Sequence, residues 1–295
     1  MRWLLHGEIG STAPPPTSLR AVNAVGYLAL IFVNVASQTG LFGPTNAAIS
    51  RRFSTPLTPA GWAFGIWGFI FALQGLGTIY QLLPHGYQAD SWKARIVNAI
   101  GYGWVLGWLF EMAWQLLFLL LSPLGMWLCL FALLAAFVSF AATLRNLYRL
   151  KHACGPLSNV LLYAFFFLPT SVNTAWLSVA SGLGALIVPV SYGITDNMDI
   201  YTVVVAAVIT VLGIAVVHKE RDSAYGLTLV WALVAVYGHQ THSALVRGAA
   251  LVCISIISTL VVLAVTRRKP VQAGDEGAAP EMRPPVKARH SDLAA

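Results

Sequence analysis

Glu111 is the residue whose type and position carry the clearest chemical information. It is the only acidic residue within eight long apolar stretches, and the only other charged residue in them is Arg247, at the edge of the last one. An ionised carboxylate near the middle of a bilayer costs about 2.5 kcal/mol or more, so such a group is neutral, paired or beside water. No stretch offers a Lys or Arg near its middle. The sequence therefore predicts a functional carboxyl group that is protonated or borders a polar cavity.

Other combinations of residues that do chemistry are scarce. His239 and His242 lie three apart without a neighbouring Cys or carboxylate, which is more typical of a solvated surface than of a metal site. Cys129, Cys154 and Cys253 are scattered and odd in number, which favours packing over a disulfide framework. One buried Glu and peripheral His residues do not combine an acid, a base and a nucleophile. We therefore predict neither an enzyme nor a metal site.

The elements that must position Glu111 are eight apolar stretches of 18 to 25 residues. A helix rising about 1.5 Å per residue needs about 20 residues to cross about 30 Å of hydrocarbon. The predicted fold class is therefore all-α, a polytopic transmembrane helical bundle of about eight spans. Spans one to eight cover residues 21–42, 60–83, 97–121, 123–144, 159–181, 200–217, 224–241 and 245–265.

The distribution of positive charge predicts the orientation of the bundle. An even number of spans places both termini on one side, and that side receives 15 of the 18 Lys and Arg residues. Because cytoplasmic loops carry the excess of Lys and Arg, both termini are predicted to be cytoplasmic. The formal net charge of +7 is thereby explained by topology, and we predict no nucleic-acid partner.

The end of span five is less clearly marked. The apolar character continues beyond its predicted end and is interrupted by Gly182, Gly184 and Pro189. We expect the helix to end near one of these glycines and residues 185–199 to form an outer loop or a short interfacial piece. Pro169 should kink the helix, because proline removes a backbone hydrogen bond.

Polar side chains in four spans fall on one face of each predicted helix, at about 100° per residue. Lipid offers them no hydrogen-bond partner, so these faces should turn towards the protein interior. They could serve a site, or could only join helix to helix at about 1 kcal/mol or less per bond. The faces comprise Asn23, Tyr27, Asn34 and Gln38; Trp67, Phe71, Gln74, Thr78 and Gln81; Trp104, Trp108, Glu111, Gln115 and Phe118; and Thr170, Thr174 and Ser181, with Asn173 flanking the last face.

Tryptophan is used in two ways along the chain. Trp62, Trp92 and Trp127 suit the usual role of anchors at the membrane interface. Other Trp residues lie too deep, or too close to the polar faces, to act only as anchors. Aromatic faces around a few polar groups suit a pocket for a flat, largely apolar ligand, and close helix packing is the competing explanation. These deeper residues are Trp67, Trp104, Trp108, Trp114 and Trp176.

Three aromatic motifs occur in spans two, three and five. Residues 57–67 read LTPAGWAFGIW, residues 111–118 read EMAWQLLF, and residues 168–181 read LPTSVNTAWLSVAS. Their order and spacing resemble those of the tryptophan-rich sensory proteins, the TspO or translocator-protein family. The corresponding family patterns are TPP-x-W-x-F, N-x-x-W-x-x-x-F and P…W-x-S-x-A-T, and the resemblance covers residues 21–184. In this chain Glu111 occupies the position of the family's third-helix Asn.

The resemblance implies a five-helix bundle whose aromatic pocket binds porphyrins or sterols. It implies no covalently bound cofactor, and a porphyrin or heme-type molecule as a ligand class. By position, the matching pocket residues are Trp62, Phe64, Trp67, Trp114 and Trp176. The polar faces add Gln74, Trp108, Glu111 and Asn173 to the candidate ligand-binding residues.

We divide the chain into four segments on this basis. They are a cytoplasmic N-terminal segment at 1–20, a TspO-like five-helix membrane domain at 21–184, three additional transmembrane helices at 185–266 and a disordered basic tail at 267–295. The N-terminal segment lacks the apolar core of a cleavable signal peptide, so the first span is expected to act as its own insertion signal.

Two functions from different classes fit these features. The first is a membrane ligand-binding or sensory protein that takes an apolar, tetrapyrrole-like or sterol-like molecule from the lipid bilayer. The alternative is a small-solute or proton-coupled transporter that uses Glu111, with spans six to eight completing the path. Porphyrin degradation is a weaker, enzymatic reading. Small residues in the last spans permit close helix contacts and hence a homodimer, namely Gly213, Gly226, Ser255 and Ser258.

Overall fold

The computed structural model describes residues 13–88, 91–155, 157 and 159–266. These residues form ten helices and no strand. The predicted tail at 267–295 and most of the predicted segment at 1–20 lie outside the described residues. The helices are α1 (Thr17–Gln38), α2 (Asn46–Arg52), α3 (Gly61–Leu82), α4 (Trp92–Ile100), α5 (Gly103–Leu120), α6 (Pro123–Cys154), α7 (Val160–Ser191), α8 (Met198–Glu220), α9 (Ser223–His239) and α10 (Ala244–Thr266).

Each of the eight predicted spans overlaps one long apolar helix, and span three also includes the end of α4. Seven of these helices have at least 18 residues and are apolar enough to cross a membrane. The eighth, α9, is apolar and has 17 residues. The predicted all-α, polytopic helical bundle is confirmed. The two remaining helices, α2 and α4, are short and lie before spans two and three.

The predicted start of span three is wrong. Residues 97–100 belong to α4, and α5 begins at Gly103. Gly101 separates the two helices with a φ of +51°, a backbone conformation that favours glycine. Hydropathy alone did not distinguish the two helices, because α4 buries its apolar side chains against the bundle.

The predicted end of span five is also wrong, because α7 continues without interruption to Ser191. Gly182 and Gly184 do not end the helix. They allow close packing: a Cβ on Gly182 would lie 2.7 Å from Val205, and one on Gly184 would lie 3.3 Å from Leu133. The proposed boundary between the five-helix domain and the last three spans therefore falls inside a helix.

Pro169 was expected to kink this helix. The backbone just before it is π-helical, over Tyr163–Phe167. A π-helical turn replaces the regular hydrogen-bond ladder, so it accommodates a residue that has no N–H to donate. Helix α3 packs closely against the same turn, since a Cβ on Gly77 would lie 2.4 Å from the carbonyl oxygen of Phe165.

Helices α1 and α6 pack directly against α5, and α3 and α7 are hydrogen-bonded to its fully buried Trp108 and Trp104. Glycine on α5 allows α6 to approach: a Cβ on Gly107 would lie 2.3 Å from the ring of Phe140. Across another contact, Asn23 on α1 donates a hydrogen bond to Gln81 on α3, with the Asn23 Nδ2 to Gln81 Oε1 distance 2.8 Å. Part of the polar faces therefore serves to join helices.

The last three helices pack on one another, and α8 and α9 also pack against α7. Two glycines that could permit a homodimer instead allow close packing between helices of the same chain. A Cβ on Gly213 would lie 2.4 Å from Leu229, and one on Gly226 would lie 2.5 Å from Val261. Ser255 is exposed on α10. Homodimer formation stays a prediction.

Substitution of Gly226 by Ala should destabilise the bundle. The new methyl group would lie 2.5 Å from Val261 and 2.9 Å from Val217, on two different helices. Overpacking of this kind costs about 1 to 3 kcal/mol. Equilibrium unfolding in detergent micelles measures the free energy of unfolding of the variant and of the wild type.

Gly248→Ala is the matched control, because Gly248 lies in α10 with no side chain within 4 Å of its ideal Cβ position. It should leave the stability unchanged or raise it by up to about 1 kcal/mol through helix propensity. Equal effects of the two substitutions would show that the close approach at Gly226 does not contribute to stability.

Candidate functional site

A cavity of about 800 Å³ lies at one end of the first five spans. Its wall comes from the C-terminal parts of α1, α5 and α7 and the N-terminal parts of α3 and α6. Helix α2 and one residue of α9 contribute to its rim. The aromatic residues that line it are Phe64, Trp67, Phe71, Trp114, Phe118 and Trp176, and the polar ones include Asn34, Gln38, Thr58, Glu111 and Gln115.

The aromatic wall is centred on Trp67. Its ring stacks on Phe71, one turn further along α3, with the centroids 5.3 Å apart. It also lies nearly parallel to Trp114 of α5, at 6.4 Å and 22°, and perpendicular to Trp176 of α7, at 6.2 Å and 87°. Phe64 meets Trp176 edge to face at 5.9 Å. The rings thus form a flat wall with one perpendicular side.

The deep end of the cavity is polar. Glu111 is 1% exposed, and its Oε1 accepts a hydrogen bond of 2.8 Å from Asn173 Nδ2. Gln115 lies one turn further along α5, so both side chains point to the same side. Within the described part of the chain, no partner is found for Glu111 Oε2, Gln115 Oε1 or Trp176 Nε1. The deep end therefore presents two acceptor atoms and one donor without protein partners.

Beyond the deep end of the cavity, a layer of buried, hydrogen-bonded side chains fills the interior of the bundle, beginning about one turn of α5 away from Glu111. Trp108 Nε1 donates to Gln74 Oε1 at 2.9 Å, and both residues are fully buried. Trp104 Nε1 donates to Thr170 Oγ1 at 3.0 Å. Two predicted site residues, Gln74 and Trp108, therefore lie in this layer and not at the cavity wall. Asn173 is similarly absent from the wall and reaches it only through Glu111.

Trp62 lies outside the cavity as well. Its side chain is 51% exposed and packs edge to face on Trp231 of α9, with the centroids 4.7 Å apart. The physical reason is local: Gly61–Gly65 forms a 3₁₀ turn, and with three residues per turn, side chains two apart point in different directions. Phe64 consequently faces the cavity and Trp62 does not.

The structure brings the other predicted site residues together at the cavity wall: Phe64, Trp67, Glu111, Trp114 and Trp176. Sequence reasoning missed the rim that α2 forms. Ile49 anchors this helix through its buried side chain, and Asn46, Ser50 and Arg51 border the cavity. A signal was present, since Ile49 and Phe53 are one turn apart and Thr45 caps the helix by accepting a bond from Ala48 N.

The comparison with protein families agrees with the three motifs and extends beyond them. The sequence matches the family described as TSPO-like protein over residues 20–264. This match includes all eight spans, whereas the motifs alone covered residues 21–184. No curated protein and no solved structure matches significantly. With most of its length matched, this multi-pass integral membrane protein belongs to the TSPO-like protein family.

Proposed function

We propose that this protein binds a flat, largely apolar molecule of the tetrapyrrole or sterol kind in the cavity of the first five spans. It would act as a membrane ligand-binding or sensory protein. One observation carries the proposal: a single cavity combines an aromatic wall with a few polar groups at its end. Its volume of about 800 Å³ falls in the range of about 300 to 1,000 Å³ that is typical of small-molecule sites.

The arrangement of the rings supports a flat ligand. Trp67 and Trp114 are nearly parallel to each other, and Trp176 stands perpendicular to Trp67. Aromatic rings prefer offset-stacked and edge-to-face contacts. A planar ligand could therefore stack on Trp67 and Trp114 and meet Trp176 edge to face. Family membership supports the same class of function.

Glu111 favours a second candidate function, proton-coupled or small-solute transport. It borders the cavity and has one carboxyl oxygen without a partner among the described residues. The hydrogen-bonded layer of Trp104 and Trp108 argues for binding instead, because both side chains are fully buried beyond the deep end of the cavity. Passage would require these bonds to break.

Replacement of Trp67 by Ala should weaken binding of protoporphyrin by about tenfold or more, since large anchoring aromatics typically contribute about 2 kcal/mol or more. Titration of purified protein, followed by the shift of the porphyrin absorption band, measures the affinity. Cholesterol added in a second arm should displace the porphyrin if both occupy the cavity.

Trp62→Ala is the matched control, because this Trp lies outside the cavity and is 51% exposed. It should leave the affinity unchanged. The proposal fails if no saturable signal appears in folded protein, or if the two substitutions weaken binding equally.

Proteoliposomes separate the two candidate functions. With a pH dye trapped inside and a pH gradient applied, the binding proposal predicts proton flux equal to that of empty liposomes, in wild type and in Glu111→Gln alike. A flux that is present in wild type and disappears in Glu111→Gln would support transport and contradict the binding proposal.

A further inference from the structure

The deep end of the cavity carries an uncompensated acidic group. Glu111 keeps one hydrogen bond, from the neutral amide of Asn173, and its Oε2 has no partner among the described residues. The described residues that line the cavity include one Lys or Arg, namely Arg51, and it lies on the exposed rim at the end of α2. A buried carboxylate without a cation is costly, so Glu111 is either protonated or paired with a cation that a ligand brings.

One neighbouring acceptor has the same preference, whereas Trp176 Nε1 is a donor and would bond to a different atom of the ligand. Gln115 Oε1 is a second buried acceptor without a partner in the described part of the chain, one turn along α5 from Glu111. A group that satisfies both oxygens must carry more than one hydrogen, or a positive charge. A protonated amine meets both conditions, because an ammonium group donates up to three hydrogen bonds and accepts none.

The aromatic wall is a third, independent feature that favours a positively charged ligand. Trp67, Trp114 and Trp176 line the same cavity as Glu111. The face of an indole ring attracts cations, and this attraction is strongest when the site is desolvated. Rings of this kind give no such advantage to an anion.

We infer that the deep end of the cavity recognises a positively charged nitrogen, so that the preferred ligands are organic cations carried on a flat apolar ring system. The inference rests on the proposed function, since it names the charge of the ligand that the cavity binds. It also fixes an orientation: a ligand with acidic groups would have to place them at the rim, beside Arg51, and away from Glu111.

Three probes that share one ring system test this inference: naphthylmethylamine, naphthylmethanol and naphthylacetic acid. Near neutral pH they are a cation, a neutral hydrogen-bond donor and an anion. Calorimetric titration of the full-length protein in detergent should show that the amine binds about tenfold or more tightly than the alcohol. The acid should bind most weakly.

Glu111→Gln removes the charge and keeps an amide oxygen that can accept the bond from Asn173. In this variant the preference for the amine over the alcohol should disappear, so that the ratio of the two affinities falls to about one. The near-ultraviolet circular dichroism of the buried Trp residues, compared with that of wild type, shows whether the variant is folded. Asp196→Asn is the matched control: it removes one negative charge at an exposed loop position, and it should keep the full preference for the amine.

The possible failures are distinguishable. If the alcohol binds wild type as tightly as the amine does, or if Glu111→Gln keeps the preference, the inference is overturned and the proposed function stands. If none of the three probes binds and protoporphyrin and cholesterol do not bind either, the proposed function fails and the inference fails with it.

Discussion

The hydrogen bonds that α5 makes with its neighbours fix the interior of this bundle. Lipid cannot satisfy a polar side chain, so the polar groups of α5 must find their partners on other helices. Trp108 bonds to Gln74 on α3, while Trp104 and Glu111 bond to Thr170 and Asn173 on α7. These three contacts set the positions of α3 and α7 relative to α5. The cavity is the space that remains above them, where the same helices carry aromatic rings.

The last three helices support that space from outside. Trp231 of α9 donates a hydrogen bond to the carbonyl oxygen of Ala63, and the carbonyl oxygen of Ala235 accepts one from Ala60 N. Both bonds hold the chain at the start of α3, which carries Phe64 into the cavity wall. On the opposite side of the bundle, Tyr148 of α6 donates to Asp222 at the start of α9. Spans six to eight thus belong to the same structure as the five that surround the cavity, in agreement with a family match that includes them.

The sequence allowed the long helices and the acidic group to be predicted, because both depend on composition along the chain. Hydropathy located the seven helices that are long enough to cross a membrane and the shorter apolar helix α9, and the isolation of Glu111 among apolar residues marked it as unusual. The predicted helix boundaries are wrong where local backbone geometry and packing, and not composition, determine where a helix ends. Gly182 and Gly184 are typical of helix ends, yet here they lie within α7, where their lack of a side chain allows close contacts with α8 and α6.

The direction of a side chain was equally hard to predict. The family resemblance includes Trp62 among the pocket residues, but its side chain lies outside the cavity and packs on Trp231. Gln74 and Trp108 share a helical face with cavity residues, yet they bond to each other. Periodicity identifies a common face, and it does not tell which residues on that face meet a partner and which meet open space.

The length of α7 has a consequence for how the protein sits in its membrane. This helix has 32 residues, about 48 Å at 1.5 Å per residue, which exceeds the hydrocarbon thickness of about 30 Å. Its neighbour α9 has 17 residues, about 26 Å at the same rise, which is slightly less than that thickness. Mismatch of either sign is relieved by tilt of the helix or by deformation of the lipid. Because α7 carries Trp176 and α9 holds the start of α3, a tilt that relieves this mismatch would act on helices that position the cavity wall.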